Sequence, residues 1–88
     1  MAKSNSKAKI TVYSTMTCPW CFALKAWLEE KDQKFEMIFV DADKAAAQKM
    51  IQLSGQMGVP FSTIESEKGD MIKIVGFDRA AFTKALGL

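Results

Sequence analysis

An α/β fold is predicted, with elements in the order β-α-β-α-β-β-α and a four-stranded mixed sheet carrying helices on both faces. Three observations predict it. Two β-branched or aromatic runs are each followed by a stretch of helical periodicity. Two further short runs, split by a polar turn, read as a hairpin. A last helical segment, bounded by Asp78 and Gly87, closes the chain.

Lys9-Ile10-Thr11-Val12-Tyr13-Ser14 reads as the first strand, because β-branched and aromatic side chains pack well on a pleated surface. A short loop, Thr15-Met16-Thr17, leads to Cys18. From Pro19 to Glu30 the pattern is helical: Leu24, Trp27 and Leu28 share one face, and Lys25, Glu29 and Glu30 lie opposite. Pro19 suits a first helical turn, where its missing N–H costs nothing.

Phe35 to Val40 is nearly all apolar and is expected to be a strand covered on both faces. The first βαβ unit is then parallel and right-handed. Asp41-Ala42-Asp43 supplies helix caps. Lys44 to Ser54 follows as the second helix, with Ala46, Met50, Ile51 and Leu53 available to pack and Gly55 as its stop. Val59 to Ile64 is the third strand, with Pro60 at its start, where a missing ladder donor is tolerated. Met71 to Val75 is the fourth, and Arg79 to Leu86 the last helix.

Eighty-eight residues, 49% hydrophobic and 25% charged, make one globular domain over residues 9–88. Residues 1–8 are expected to be a disordered basic tail rather than a secretory signal, since no apolar stretch follows the lysines. No apolar run approaches the length of a membrane span. Net charge is +2, with Lys3, Lys7 and Lys9 supplying the excess. No basic patch is dense enough for nucleic acid. Histidine is absent, which removes Cys–His nucleophilic pairs and histidine-containing metal sites. Two cysteines are too few for a disulfide-stapled secreted scaffold, so a reducing, cytoplasmic setting is expected.

Both cysteines sit in Thr17-Cys18-Pro19-Trp20-Cys21. Three readings compete. The pair can be a redox couple, one half of a zinc site completed by a second copy, or two inert buried thiols. The strand–loop–CxxC–helix context favours the first. Cys18 stands where free N–H groups and the helix dipole stabilise an anion, hence a thiolate. Cys21, nearly one turn on, presents its sulfur on the same side. Cys18 would attack a substrate disulfide, and Cys21 would resolve the mixed disulfide. A closed zinc site needs four ligands, which one chain does not supply.

With these residues in place, the chain resembles the glutaredoxins of the thioredoxin-fold superfamily, over roughly Ile10 to Leu86. The motifs are Thr17-Cys18-Pro19-Trp20-Cys21, Gly58-Val59-Pro60 and Val75-Gly76-Phe77-Asp78. The run from Ser54 to Pro60, with Ile74 to Asp78, is most similar to the small YruB-type glutaredoxin-like proteins. The resemblance implies strand order 2-1-3-4, a cis Val59–Pro60 peptide and a monomer. It implies a dithiol–disulfide oxidoreductase acting on protein disulfides or glutathione mixed disulfides. Glutathione would lie in a groove with Trp20 at its border, Val59 pairing with the cysteinyl backbone beside Pro60, and Phe77 and Asp78 at the γ-glutamyl end.

Glutathione-using members commonly carry a lysine where this chain has Thr15. The short Gly76-Phe77-Asp78 segment resembles redoxins that draw electrons from thioredoxin reductase. The reductant is therefore expected to be either glutathione or thioredoxin reductase. An iron–sulfur cluster bridged between two copies is the alternative from a different class, and Pro19 disfavours it within the family; no resident metal is expected. Met16, Trp20 and Phe77 are expected to form an apolar rim around Cys18, and Phe22 and Phe61 to lie in the core.

Overall fold

The structure is a computed structural model, and it describes residues 9–66 and 69–87. The expected tail, residues 1–8, lies outside the described residues.

The elements run β1 (Lys9–Ser14), α1 (Pro19–Glu30), β2 (Phe35–Phe39), α2 (Lys44–Ser54), β3 (Phe61–Glu65), β4 (Met71–Val75) and α3 (Arg79–Leu86). The strands form one sheet in the order β2-β1-β3-β4. β1 pairs parallel with β2 and antiparallel with β3, and β4 closes the antiparallel side. This is the mixed sheet, and the strand order, that the sequence and the resemblance imply.

Alternation along β1 and β3 sorts the core into two layers. Ile10, Val12, Ile64 and Ile74 meet Leu24 and Leu28 of α1 and Phe82 and Leu86 of α3. Tyr13 and Phe61 point the other way, toward Met50 of α2. Their rings stack at 5.9 Å. Phe61 is therefore core, as expected.

Each helix starts and stops for a local reason. Asp43 and Asp78 each accept the N–H three residues on, from Ala46 and Ala81, at 3.1 Å. Gly55 and Gly87 close α2 and α3 in left-handed backbone, with φ of 73° and 72°.

The structure departs from the sequence reading at the sheet edges. β2 is an edge strand, so its side chains are half-buried rather than covered on both faces, and Glu36 is exposed. β4 is the other edge: Ile74 is buried, while Ile72 is 43% exposed and Val75 59%. β3 begins at Phe61, leaving Val59 and Pro60 in the preceding loop. Ile51 lies on the outward side of α2. Phe22 is also corrected: it is 42% exposed and tilts against Phe39 at 6.5 Å. It sits one position past buried Cys21, off the stripe of Leu24 and Leu28 that faces the sheet.

These exposures separate two phenylalanines that the sequence treats alike. Phe82→Ala, which empties a fully buried site, is expected to cost about 3–5 kcal/mol in urea unfolding. Phe22→Ala is expected to cost about 1 kcal/mol or less, the scale of one aromatic pair.

Candidate active site

β1 delivers the chain from the middle of the sheet to a three-residue loop, and α1 starts at once. Cys18 is the N-cap of α1, with extended backbone (φ −94°, ψ 105°). Its Sγ accepts the Cys21 N–H at 3.2 Å. A sulfur thus satisfies one of the donors that a helix start leaves unpaired, in the position where serine or aspartate usually serves. The Cys18 N–H turns back to the Thr15 carbonyl at 3.4 Å. Pro19 occupies the first helical position and asks for no partner of its own.

The two thiols are free and differ in surroundings. Cys18 is half-buried and Cys21 wholly buried. Burial pushes the Cys21 thiol up to about 12 from 9.0. The hydrogen bond and the charge interaction with Cys18 contribute to that rise, and the hydrogen bond with the Thr15 backbone opposes it. Cys21 is therefore a protonated thiol at neutral pH.

At the first turn of α1 opens a groove of about 280 Å³, lined by Trp20, Val59, Pro60, Gly76 and Phe77. Three separate segments build it: the start of α1, the loop before β3 and the turn after β4. The Val59–Pro60 peptide is cis. The Pro60 carbonyl accepts the Gly76 N–H at 2.8 Å, which joins the last two segments. Trp20 is 66% exposed and tilts against Phe77 at 6.4 Å. Of the residues singled out in the sequence, the structure gathers Trp20, Val59, Pro60 and Phe77 into one wall. Thr15 and Asp78 do not line the groove: Thr15 holds the Cys18 backbone, and Asp78 caps α3. Met16 is 60% exposed, two residues before Cys18.

Sequence reasoning missed two contributors. Asp41, taken only as a cap, accepts the Met16 N–H at 3.1 Å and so ties the loop before Cys18 to the end of β2. A helix needs one N-cap, and Asp43 takes that role, so the doubled aspartate was the available signal. Gln56 had no such signal; its side chain grips the backbone of Gly58, ahead of Val59. Among the described residues, no group of three or more His, Cys, Asp or Glu side chains lies close enough to hold a metal ion.

A sheet of this order, with a dithiol at the start of α1 and a cis proline in the loop before β3, defines a thioredoxin-fold protein with a CxxC site. Within that class the chain belongs to the glutaredoxin family, whose family model matches residues 10–65. A glutaredoxin-like 8.6 kDa protein of the rubredoxin operon of Clostridium pasteurianum is 39% identical over 77 residues, covering 88% of this chain and 96% of that protein. Methanoredoxin of Methanosarcina acetivorans superposes with a TM-score of 0.78 at 26% identity, over 100% of this chain and 97% of that one. NrdH-redoxin of Escherichia coli, described as a glutaredoxin-like protein with a thioredoxin-like activity profile, superposes with a TM-score of 0.71 at 29% identity, over 86% and 92% of the two chains.

The unequal thiols set a testable pH behaviour. At neutral pH, iodoacetamide is expected to label Cys18 and spare Cys21, with Cys21 labelled only as pH climbs toward about 12; mass-spectrometric fragmentation of the labelled peptide reads the site. Because the folded value of Cys21 is raised, its contribution to stability is full below 9.0 and is lost as pH rises from there toward about 12.

Proposed function

We propose that the protein is a dithiol–disulfide oxidoreductase with Cys18 as nucleophile and Cys21 as resolving thiol. The observation that carries this reading is the hydrogen bond from the Cys21 N–H to Cys18 Sγ at the helix start. That donor and the aligned peptide dipoles point at the sulfur placed to attack a disulfide.

The thiolate of Cys18 attacks one sulfur of the substrate disulfide. The substrate S–S bond breaks, its other sulfur leaves as a thiolate and takes a proton from water, and a mixed disulfide with Cys18 forms. Two of the influences that hold the Cys21 proton, the hydrogen bond and the charge interaction with Cys18, depend on a free Cys18 sulfur. They lapse once that sulfur is in a disulfide. Cys21 then gives its proton to solvent and attacks Cys18 Sγ, releasing the second substrate thiolate. The substrate has gained two electrons, and the protein holds a Cys18–Cys21 disulfide. Glutathione or thioredoxin reductase restores the dithiol in the reducing cytoplasm.

Protein disulfides are the favoured substrates, with glutathione mixed disulfides as the second class. The apolar groove and the exposed Trp20 and Met16 suit a polypeptide flank. Thr15 brings no cation for the glycine carboxylate of glutathione. Missing one charge-assisted contact costs roughly 1.5–3 kcal/mol, or about ten- to a hundredfold in affinity. The thioredoxin-like activity profile in the description of NrdH-redoxin supports the same choice.

Two coupled assays following NADPH oxidation test the reading, one with glutathione and glutathione reductase, the other with thioredoxin reductase and a protein disulfide. Turnover in the second assay, and little in the first, is the expected result; turnover in neither overturns the assignment. Cys18→Ser is expected to abolish turnover. Cys21→Ser is expected to abolish reduction of protein disulfides, trapping a mixed disulfide that non-reducing electrophoresis detects.

A further inference from the structure

The loop between α2 and β3 is held by side chains rather than by burial. Gly55 ends α2, and its N–H reaches the Ile51 carbonyl at 2.7 Å. Ser54 Oγ donates to the Met50 carbonyl at 2.7 Å and accepts the Gln56 N–H at 3.2 Å. The Gln56 backbone is thereby fixed, and its side chain turns forward. Its Oε1 accepts the Gly58 N–H, and its Nε2 donates to the Gly58 carbonyl at 3.0 Å. One carboxamide thus engages both backbone polar groups of one residue, as a neighbouring strand would.

The clamp also bears on the side-chain space at Gly58. Its φ is not among the positive glycine values, so its backbone does not require glycine. Space does. A Cβ there would come within 2.6 Å of Gln56 Oε1. A side chain at position 58 would push the Gln56 carboxamide out of its present position.

The next residue is Val59. Among the described residues, neither its N–H nor its carbonyl is hydrogen-bonded, and Val59 lines the groove. The clamp closes the polar groups before it, and the bond from Gly76 to the Pro60 carbonyl closes the one after it. Val59 is left as the one free hydrogen-bonding edge on this side of the groove.

We propose that Gln56 is a positioning residue: by clamping Gly58 it holds the free backbone edge of Val59 in register for an extended substrate chain. This rests on the oxidoreductase reading above, with a polypeptide disulfide as substrate. It makes Gln56 a determinant of discrimination. A polypeptide flank that pairs with Val59 as a short added strand gains from the clamp; a small disulfide without a peptide backbone has nothing to pair and gains nothing.

The test is single-turnover kinetics of pre-reduced protein against two oxidants, insulin and the small aromatic disulfide dithiobis-nitrobenzoate. Gln56→Ala is expected to raise the half-saturating insulin concentration about three- to tenfold, the scale of one or two net hydrogen bonds. The limiting rate with insulin and the rate with the small disulfide are expected to stay at the wild-type values. Gly58→Ala, which displaces the carboxamide, is expected to match it, and the double variant to be no worse than either single. Gln56→Glu keeps the acceptor for the Gly58 N–H and loses the donor to its carbonyl, so it falls between; it also serves as the working variant if Gln56→Ala does not fold. An unchanged half-saturating concentration in an active protein overturns this inference alone. So does an equal slowing with both oxidants, which would mark a structural role. A wild type that reduces neither oxidant overturns the oxidoreductase reading, and the inference with it.

Discussion

The position of β1 is the constraint on which the rest depends. It is the one strand with a parallel neighbour on one side and an antiparallel neighbour on the other. Every residue from Ile10 to Ser14 is buried. A strand so enclosed has no freedom of register, because a slip of one residue would exchange Ile10 and Val12 for Thr11 and Tyr13 across the two cores. Its C-terminal end is thereby fixed in the plane of the sheet. The loop Thr15–Thr17 is too short to wander, so α1 has to begin where Cys18 stands. Leu24 and Leu28 then seat the helix on the face that Ile10 and Val12 prepare. The placement of the thiol is thus a consequence of sheet registry, made exact by capping.

The chemistry available there follows from an asymmetry of burial over less than one helical turn. Cys18 keeps partial access to solvent and receives an N–H; Cys21 faces the protein interior. In a chain without histidine there is no general base of intermediate basicity to share. Cys18 itself is part of what makes Cys21 a poor acid. Under the proposed mechanism, a Cys18 sulfur held in a mixed disulfide would no longer add to that obstacle, and the second thiol would become easier to ionise at the step that uses it. On that proposal, the order of events follows from the pair itself.

Much of this was legible in the sequence because its signals are local. Pro19 after Cys18, Asp43 and Asp78 before their helices, and Gly55 and Gly87 after them define helix ends within one or two residues. The cysteine spacing and its strand–helix context exposed the candidate site in the same way. What stayed hidden depends on partners distant in the chain. Whether an apolar strand is central or at an edge is decided by the other strands, so β2 read as covered on both faces. Phe22 read as core because composition does not fix the rotation of a helix about its axis to within one residue. The bond from Met16 to Asp41 joins residues twenty-five apart, and the doubled aspartate signals a spare carboxylate without naming its partner. The Gln56 clamp is local, yet a glutamine in a loop carries no default role. Its signature, a glycine two residues on whose backbone does not need one, is visible only in three dimensions.

The groove wall is continuous with the core, and this bears on what it can recognise. Phe82 is fully buried, and Trp27 packs against it at 6.0 Å. Trp27 in turn meets Phe77 edge-on at 6.2 Å, and Phe77 meets Trp20 at 6.4 Å. A chain of four rings runs from the interior to the rim, each ring restricting the next. Exposed aromatic side chains ordinarily lose rotamer freedom when a partner binds, which subtracts from affinity. Trp20 is open to solvent yet braced from behind, so less of that loss remains to be met on binding. A preformed apolar wall favours ligands that lie flat against it over an extended length, and the wall contributes no fixed cation that would single out a terminal carboxylate. On the proposed reading, shape and backbone pairing would be the main sources of selectivity, and both would reward a polypeptide more than a tripeptide.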